Sequence, residues 1–129
     1  MSNKSIASPL APKAIGPYSQ AIKCSSSKET LYVSGQLPID ANTGEFAEGG
    51  IDAQIHQVFK NLDYILNEAG FSFKDVVKTT VYLADMRDFS LLNEIYAQYY
   101  SEPYPARVAY QVAALPKGAK IEIDVIASK

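Results

Sequence analysis

Residues 50–83 read Gly50-Ile51-Asp52-Ala53-Gln54-Ile55-His56-Gln57-Val58-Phe59-Lys60-Asn61-Leu62-Asp63-Tyr64-Ile65-Leu66-Asn67-Glu68-Ala69-Gly70-Phe71-Ser72-Phe73-Lys74-Asp75-Val76-Val77-Lys78-Thr79-Thr80-Val81-Tyr82-Leu83. Two hydrophobic periods meet within this one stretch. Ile51, Ile55, Val58, Leu62, Ile65, Leu66 and Ala69 recur at steps of 4, 3, 4, 3, 1 and 3, which lays an apolar stripe along one side of an α-helix. Gly70 is placed to end that helix, because glycine accepts the left-handed cap conformation. From Lys74 the period changes to two. Val77, Thr79, Val81 and Leu83 fall on one face of a strand, with Val76, Lys78, Thr80 and Tyr82 on the other, and the β-branched content suits a pleated surface.

Working outward, a second helix is expected after Asp88, a good N-cap, with Phe89, Leu92, Ile95, Tyr96 and Tyr99 on one side and Pro103 as its limit. A last strand alternates Ile121, Ile123, Val125 and Ala127 with Glu122, Asp124, Ile126 and Ser128. Shorter strands fit Tyr18–Cys24, Leu31–Gly35 and Arg107–Val112, with Ser25–Ser27 as the bend between the first two. The expected order is β-β-α-β-α-β-β. This is an α+β chain whose two helices cover one face of a five- or six-stranded sheet. On the strands from Lys74 and Arg107 both faces carry apolar or aromatic groups, including Val76, Tyr82, Val108, Tyr110 and Val112. That is more than a solvated face shows, so an oligomer that buries the open face is expected.

With 129 residues and no linker-like or repetitive segment, residues 1–129 read as a single domain. The composition, 47% hydrophobic and 20% charged, is that of a folded globular chain and not of a disordered one. No run approaches the length of a signal-peptide core or a membrane span, so a cytoplasmic, non-membrane protein is expected. One His and one Cys cannot build a zinc site or a two-histidine nuclease within one chain. Net charge of −2 gives no overall attraction for nucleic acid. Chemistry here falls to carboxylates, Arg, Tyr and backbone groups.

Arg107 follows Pro103-Tyr104-Pro105-Ala106, a rigid lead-in to a strand. An arginine held there suits a planar two-pronged clamp on a carboxylate or phosphate, or is a surface residue paired with a nearby acid. Glu122 points away from Ile121 and Ile123. If another subunit covers that face it can hold and deprotonate a water; otherwise it is a solvent-facing strand residue. Tyr18, after Gly16-Pro17, is a hydroxyl donor to a ligand or a half-buried packing residue. Ser34-Gly35-Gln36 ends a strand with a glycine that permits close backbone approach or merely a bulge. His56 reads as a solvent-exposed or packing residue, the Tyr96–Tyr99–Tyr100–Tyr104 cluster as helix-to-sheet packing, Cys24 as a small apolar residue, and Lys117 as a turn residue.

The order of these pieces resembles the RidA (YjgF) family, also known as reactive-intermediate or enamine/imine deaminases, nearly from end to end. The resemblance is carried by Ala14-Ile15-Gly16-Pro17-Tyr18-Ser19-Gln20, Val33-Ser34-Gly35-Gln36-Leu37-Pro38, Asn61-Leu62 with Leu66 to Gly70, and Val77-Lys78-Thr79-Thr80-Val81-Tyr82. Phe89 with Asn93, Pro105-Ala106-Arg107, and Val112 to Lys117 leading into Ile121-Glu122-Ile123 complete it. It implies a chorismate-mutase-like α+β fold and a homotrimer with a central barrel and sites between subunits. It also implies hydrolysis of 2-iminopropanoate and 2-iminobutanoate to 2-oxo acids and ammonia, without metal or organic cofactor. By the same resemblance Arg107 clamps the substrate carboxylate, Glu122 orients the attacking water, Tyr18 arrives from a neighbouring subunit, Ser34-Gly35 lines the pocket, and Asn93 is a further binding residue. The chain departs from many bacterial members at Ala109, where they carry a cysteine. Two other functions compete: an endoribonuclease or translation inhibitor, and a non-catalytic binder of small 2-oxo acids.

Overall fold

The computed structural model describes residues 3–129. Its strands and helices are β1 (Asn3–Ile6), β2 (Ala21–Cys24), β3 (Thr30–Gln36), β4 (Ile39–Asp40), β5 (Glu45–Phe46), α1 (Ile51–Glu68), β6 (Val76–Leu83), α2 (Phe89–Tyr99), β7 (Ala106–Gln111) and β8 (Ile121–Ser128). The central sheet has four strands in the order β3-β8-β6-β7, with β8 antiparallel to β3 and β6, and β6 parallel to β7. Strands β3 and β6 therefore run the same way, as do β6 and β7. Each parallel step needs a crossover, and α1 and α2 supply them. Both helices lie on one face.

The apolar stripe of α1 is the reason. Ile55, Val58, Phe59, Leu62 and Leu66 are wholly buried, as are Val81, Leu83, Ile121 and Ile123 on the facing strands and Leu92 and Tyr96 on α2. Each such side chain contributes about 1.5–3 kcal/mol relative to exposure, enough for this one layer to hold the fold. The helix ends as its sequence requires: Ala69 is the C-cap and Gly70 takes φ +80.

Three expectations are corrected. The sheet has four strands and not five or six, because the first expected strand shrinks to Ala21–Cys24 and pairs with Asn3–Ile6 in a separate hairpin, leaving Ser19 bridged to Ala106 alone. The small β4–β5 hairpin has only two residues per strand, too few to show a period. In β6 a bulge between Val76 and Lys78 turns Val76, and not Val77, toward the core. Cys24, a small apolar residue of β2, is exposed.

Asn61 ties α1 to the chain after β3, its side-chain amide donating to the carbonyls of Leu37 at 3.0 Å and Ile39 at 2.9 Å. Asn61→Ala removes both bonds and is expected to cost about 1–3 kcal/mol, read as a lower denaturant midpoint with an unchanged slope.

The face away from the helices stays open. It carries Tyr32, Val108 and Tyr110, which are 75%, 42% and 44% exposed, beside Glu122, Asp124 and Tyr82. Among the described residues no helix is long and apolar enough to cross a membrane.

Candidate functional site

Arg107 is the second residue of β7 and pairs in register with the buried Thr79 of β6, so its side chain leaves the sheet on the helix side. There it meets α2. Phe89, Asn93 and Tyr96 recur at steps of four and three, which places them on one helix face. Arg107 Nη1 donates to Asn93 Oδ1 at 2.8 Å. The guanidinium carbon lies 5.0 Å from the ring centre of Tyr96, 5.4 Å from Phe89 and 5.6 Å from Tyr18. Those distances are within the reach of cation–π attraction.

Among the described residues the one ion pair is Arg87 with Asp85, on the surface. Arg107 thus has no acid of its own, which removes the reading of a surface arginine paired with a carboxylate. Partial burial lowers its pKa from the ordinary value, an effect opposed by Tyr96 and Tyr18. The cation is poorly solvated and faces a cleft of about 250 Å³ lined by Ile15, Gly16, Tyr18, Phe89, Asn93 and Ala109. A half-buried, unpaired guanidinium with free N–H groups is a receptor for a carboxylate.

Tyr18 belongs to this cleft within one chain. Its hydroxyl accepts from the backbone N–H of Ile15 at 3.3 Å, and Ser19 and Pro105 tie its segment to β7. Within one chain Tyr18 already stands beside Arg107.

Glu122 is elsewhere. It pairs with Tyr82 across β8–β6, which puts it on the open face, opposite to Arg107 and separated from β7 by β6. Gly35 lies against it: a Cβ on Gly35 would sit 1.9 Å from Glu122 Oε2 and 2.8 Å from its carboxyl carbon. A side chain at position 35 would displace this carboxylate from its present place. Ser34 and Gly35 are on β3, the far edge of the sheet, about 14 Å from β7 at ordinary strand spacing. Within one chain the candidate residues therefore fall into two groups: Arg107, Tyr18 and Asn93 at one edge, and Ser34, Gly35 and Glu122 toward the other.

On the open face Tyr82 donates to Asp124 Oδ2 at 2.8 Å and packs edge-on against Tyr110. The bond to Asp124 raises the Tyr82 phenol from 10.0 to about 12. The unfolded chain loses this proton first, so the contribution to stability is complete below pH 10 and declines as pH rises through about 12. Asp124→Asn is expected to return the Tyr82 titration, followed by ultraviolet absorbance, toward the ordinary phenol value. His56 Nδ1 contacts Tyr99 Oη at 2.6 Å between the helices, far from a catalytic role. Lys117 occupies a turn at φ 58. Among the described residues no group of three or more His, Cys, Asp or Glu side chains is arranged to hold a metal.

The chain is thus an α+β layer of two helices on a mixed sheet, with one open sheet face and an arginine without an acid partner in a small cleft. The family model described as Endoribonuclease L-PSP matches residues 8–129, and the chain belongs to this family, the RidA (YjgF) proteins. A human protein named 2-iminobutanoate/2-iminopropanoate deaminase is 52% identical over 117 residues, covering 91% of this chain and 83% of the human one. The mouse protein of the same name is 51% identical over 96% of this chain and 90% of its own. Among solved structures, RidA from the Antarctic bacterium Psychrobacter sp. superposes with a TM-score of 0.76 at 49% identity, over 98% of this chain and 99% of that one. E. coli TdcF with bound serine gives 0.74 at 39% identity, over 98% of both chains. These matches bear out the α+β fold with two helices on a mixed sheet.

The walls around the arginine are what the sequence reading misses. It groups Tyr96 with packing residues and Phe89 with a helix stripe, although their spacing with Asn93 puts all three on one face.

Proposed function

We propose that the protein is a cytoplasmic 2-imino-acid deaminase that hydrolyses 2-iminobutanoate and 2-iminopropanoate to 2-oxo acids and ammonia, working as a homotrimer with sites between subunits. The observation that carries this reading is Arg107: a partly desolvated cation with no acid partner, turned toward a cleft of the size of a small imino acid. The names of relatives about half identical to this chain support the substrate class.

Arg107 takes the substrate carboxylate, which fixes the adjacent imine carbon at the mouth of the cleft. Glu122 of the next subunit, steadied over Gly35, receives a proton from water as its oxygen bonds to that carbon. The same carboxyl returns the proton to nitrogen. The C–N bond then breaks as the carboxyl carries the hydroxyl proton to that nitrogen, so that ammonia leaves and the hydroxyl oxygen becomes the carbonyl. Such imines hydrolyse readily when protonated, so positioning and modest proton transfer suffice. The two groups of residues on opposite edges support a ring in which the Arg107 edge of one copy meets the Gly35 edge of the next, and the exposed Tyr32, Val108 and Tyr110 fit the buried centre of that ring.

The test is a coupled reaction in which a dehydratase generates 2-iminobutanoate from threonine while semicarbazide traps what survives. Less trapped product in the presence of the wild-type chain is expected. An unchanged yield refutes the deaminase reading. RNA cleavage, the activity in the family's name, is expected to be absent under the same conditions, since the chain has net charge −2 and one His.

A further inference from the structure

Arg107 has three aromatic neighbours, and they are not equivalent. Tyr18 and Phe89 are half-buried at the mouth of the cleft, whereas Tyr96 is wholly buried and its ring centre is nearest the guanidinium, at 5.0 Å. Phe59, edge-on at 5.9 Å, and Tyr100 at 4.6 Å fix the Tyr96 ring from the core side. Tyr96 is the one wall that cannot swing away.

Its hydroxyl is buried beside the Thr79 side chain. The guanidinium rests on the face of the ring, where the quadrupole is negative. Burial also holds the phenol up at about 12. The ring therefore stays neutral and does not compete with a substrate anion for Arg107.

We propose that Tyr96 is a positioning residue for carboxylate recognition, an electron-rich floor that, with Asn93 on one N–H, holds the Arg107 guanidinium with its remaining donors turned to the cleft. The role rests on the deaminase reading only for its catalytic readout, since carboxylate binding reports it directly.

The experiment uses the full, assembled protein and pyruvate as the probe, with binding followed by calorimetry and turnover by the trapping reaction. Three rings of nearly one shape are compared: wild type, Tyr96→Phe, and a trifluorinated phenylalanine at position 96, whose fluorines withdraw density from the ring face. Pyruvate affinity is expected to hold in Tyr96→Phe, whose ring face attracts a cation about equally, and to fall about tenfold in the trifluorinated variant. KM for the imine is expected to rise in step while kcat holds, because the carboxylate contact is made equally in ground and transition states. As a control the same trifluorinated residue replaces Phe73, which packs on Phe59, Tyr99 and Tyr100, and pyruvate affinity is expected to be unchanged. Equal affinity across the position-96 series, or an equal loss from position 73, overturns the proposal. A wild-type chain that binds pyruvate but spares no imine refutes the deaminase reading and leaves the affinity series to decide this one. A wild-type chain that does not bind pyruvate overturns both.

Discussion

Arg107→Ala is expected to lower kcat/KM for 2-iminobutanoate by about 10²–10³, with the fold intact. The size of the effect reflects the contact removed: a charge-assisted, two-pronged hold on a carboxylate in a partly desolvated cleft, worth about 3–4 kcal/mol. Arg107 sits at a sheet edge and is only half-buried, and Tyr96 beneath it keeps its own packing against Phe59 and Tyr100 without it. Arg107→Lys is expected to recover only part of the loss, since an ammonium is a point charge and cannot hold both carboxylate oxygens in one plane. Steady-state kinetics with far-ultraviolet circular dichroism on each variant check the prediction. A variant that keeps native activity contradicts the assignment of Arg107 as the carboxylate clamp.

Glu122→Gln is expected to act on kcat, with a loss of about 10²–10⁴ and little change in KM. The amide is isosteric and keeps the packing over Gly35, but it cannot take a proton from water. Gly35→Ala is expected to resemble it in activity. A Cβ at that position falls on the carboxylate of Glu122, whose flexible side chain moves aside, so the protein folds while the carboxylate leaves its place. If Gly35→Ala unfolds the protein instead, the close approach serves packing and not proton transfer.

Hydrophobic period locates the elements that burial of one face dictates. The α1 stripe, its end at Gly70, the alternation of β8 and the start of α2 at Phe89 all match the structure, because a residue's periodic neighbours decide them. The β1–β2 hairpin has no such signal, since its strands are short and mostly exposed and neither alternates. Nor does the bulge at Val76, which depends on pairing with β8 and on nothing local. For the site, Arg107 is legible from its proline lead-in, but its surroundings are not. The floor at Tyr96 comes from helix-to-sheet packing between residues 11 positions apart. The placement of Glu122 on the face opposite Arg107 requires the strand order, which no local pattern contains.

That placement makes the central claim testable by mixing two inactive proteins. Arg107→Ala keeps Glu122, and Glu122→Gln keeps Arg107. Both chains are co-expressed with different tags, and assemblies carrying both tags are purified. In a three-membered ring with sites between neighbours, either mixed composition brings an intact Arg107 to an intact Glu122 at about one third of the sites. Deaminase activity near one third of wild type is predicted for the mixed assemblies. Activity no higher than that of either parent would contradict a site shared between subunits.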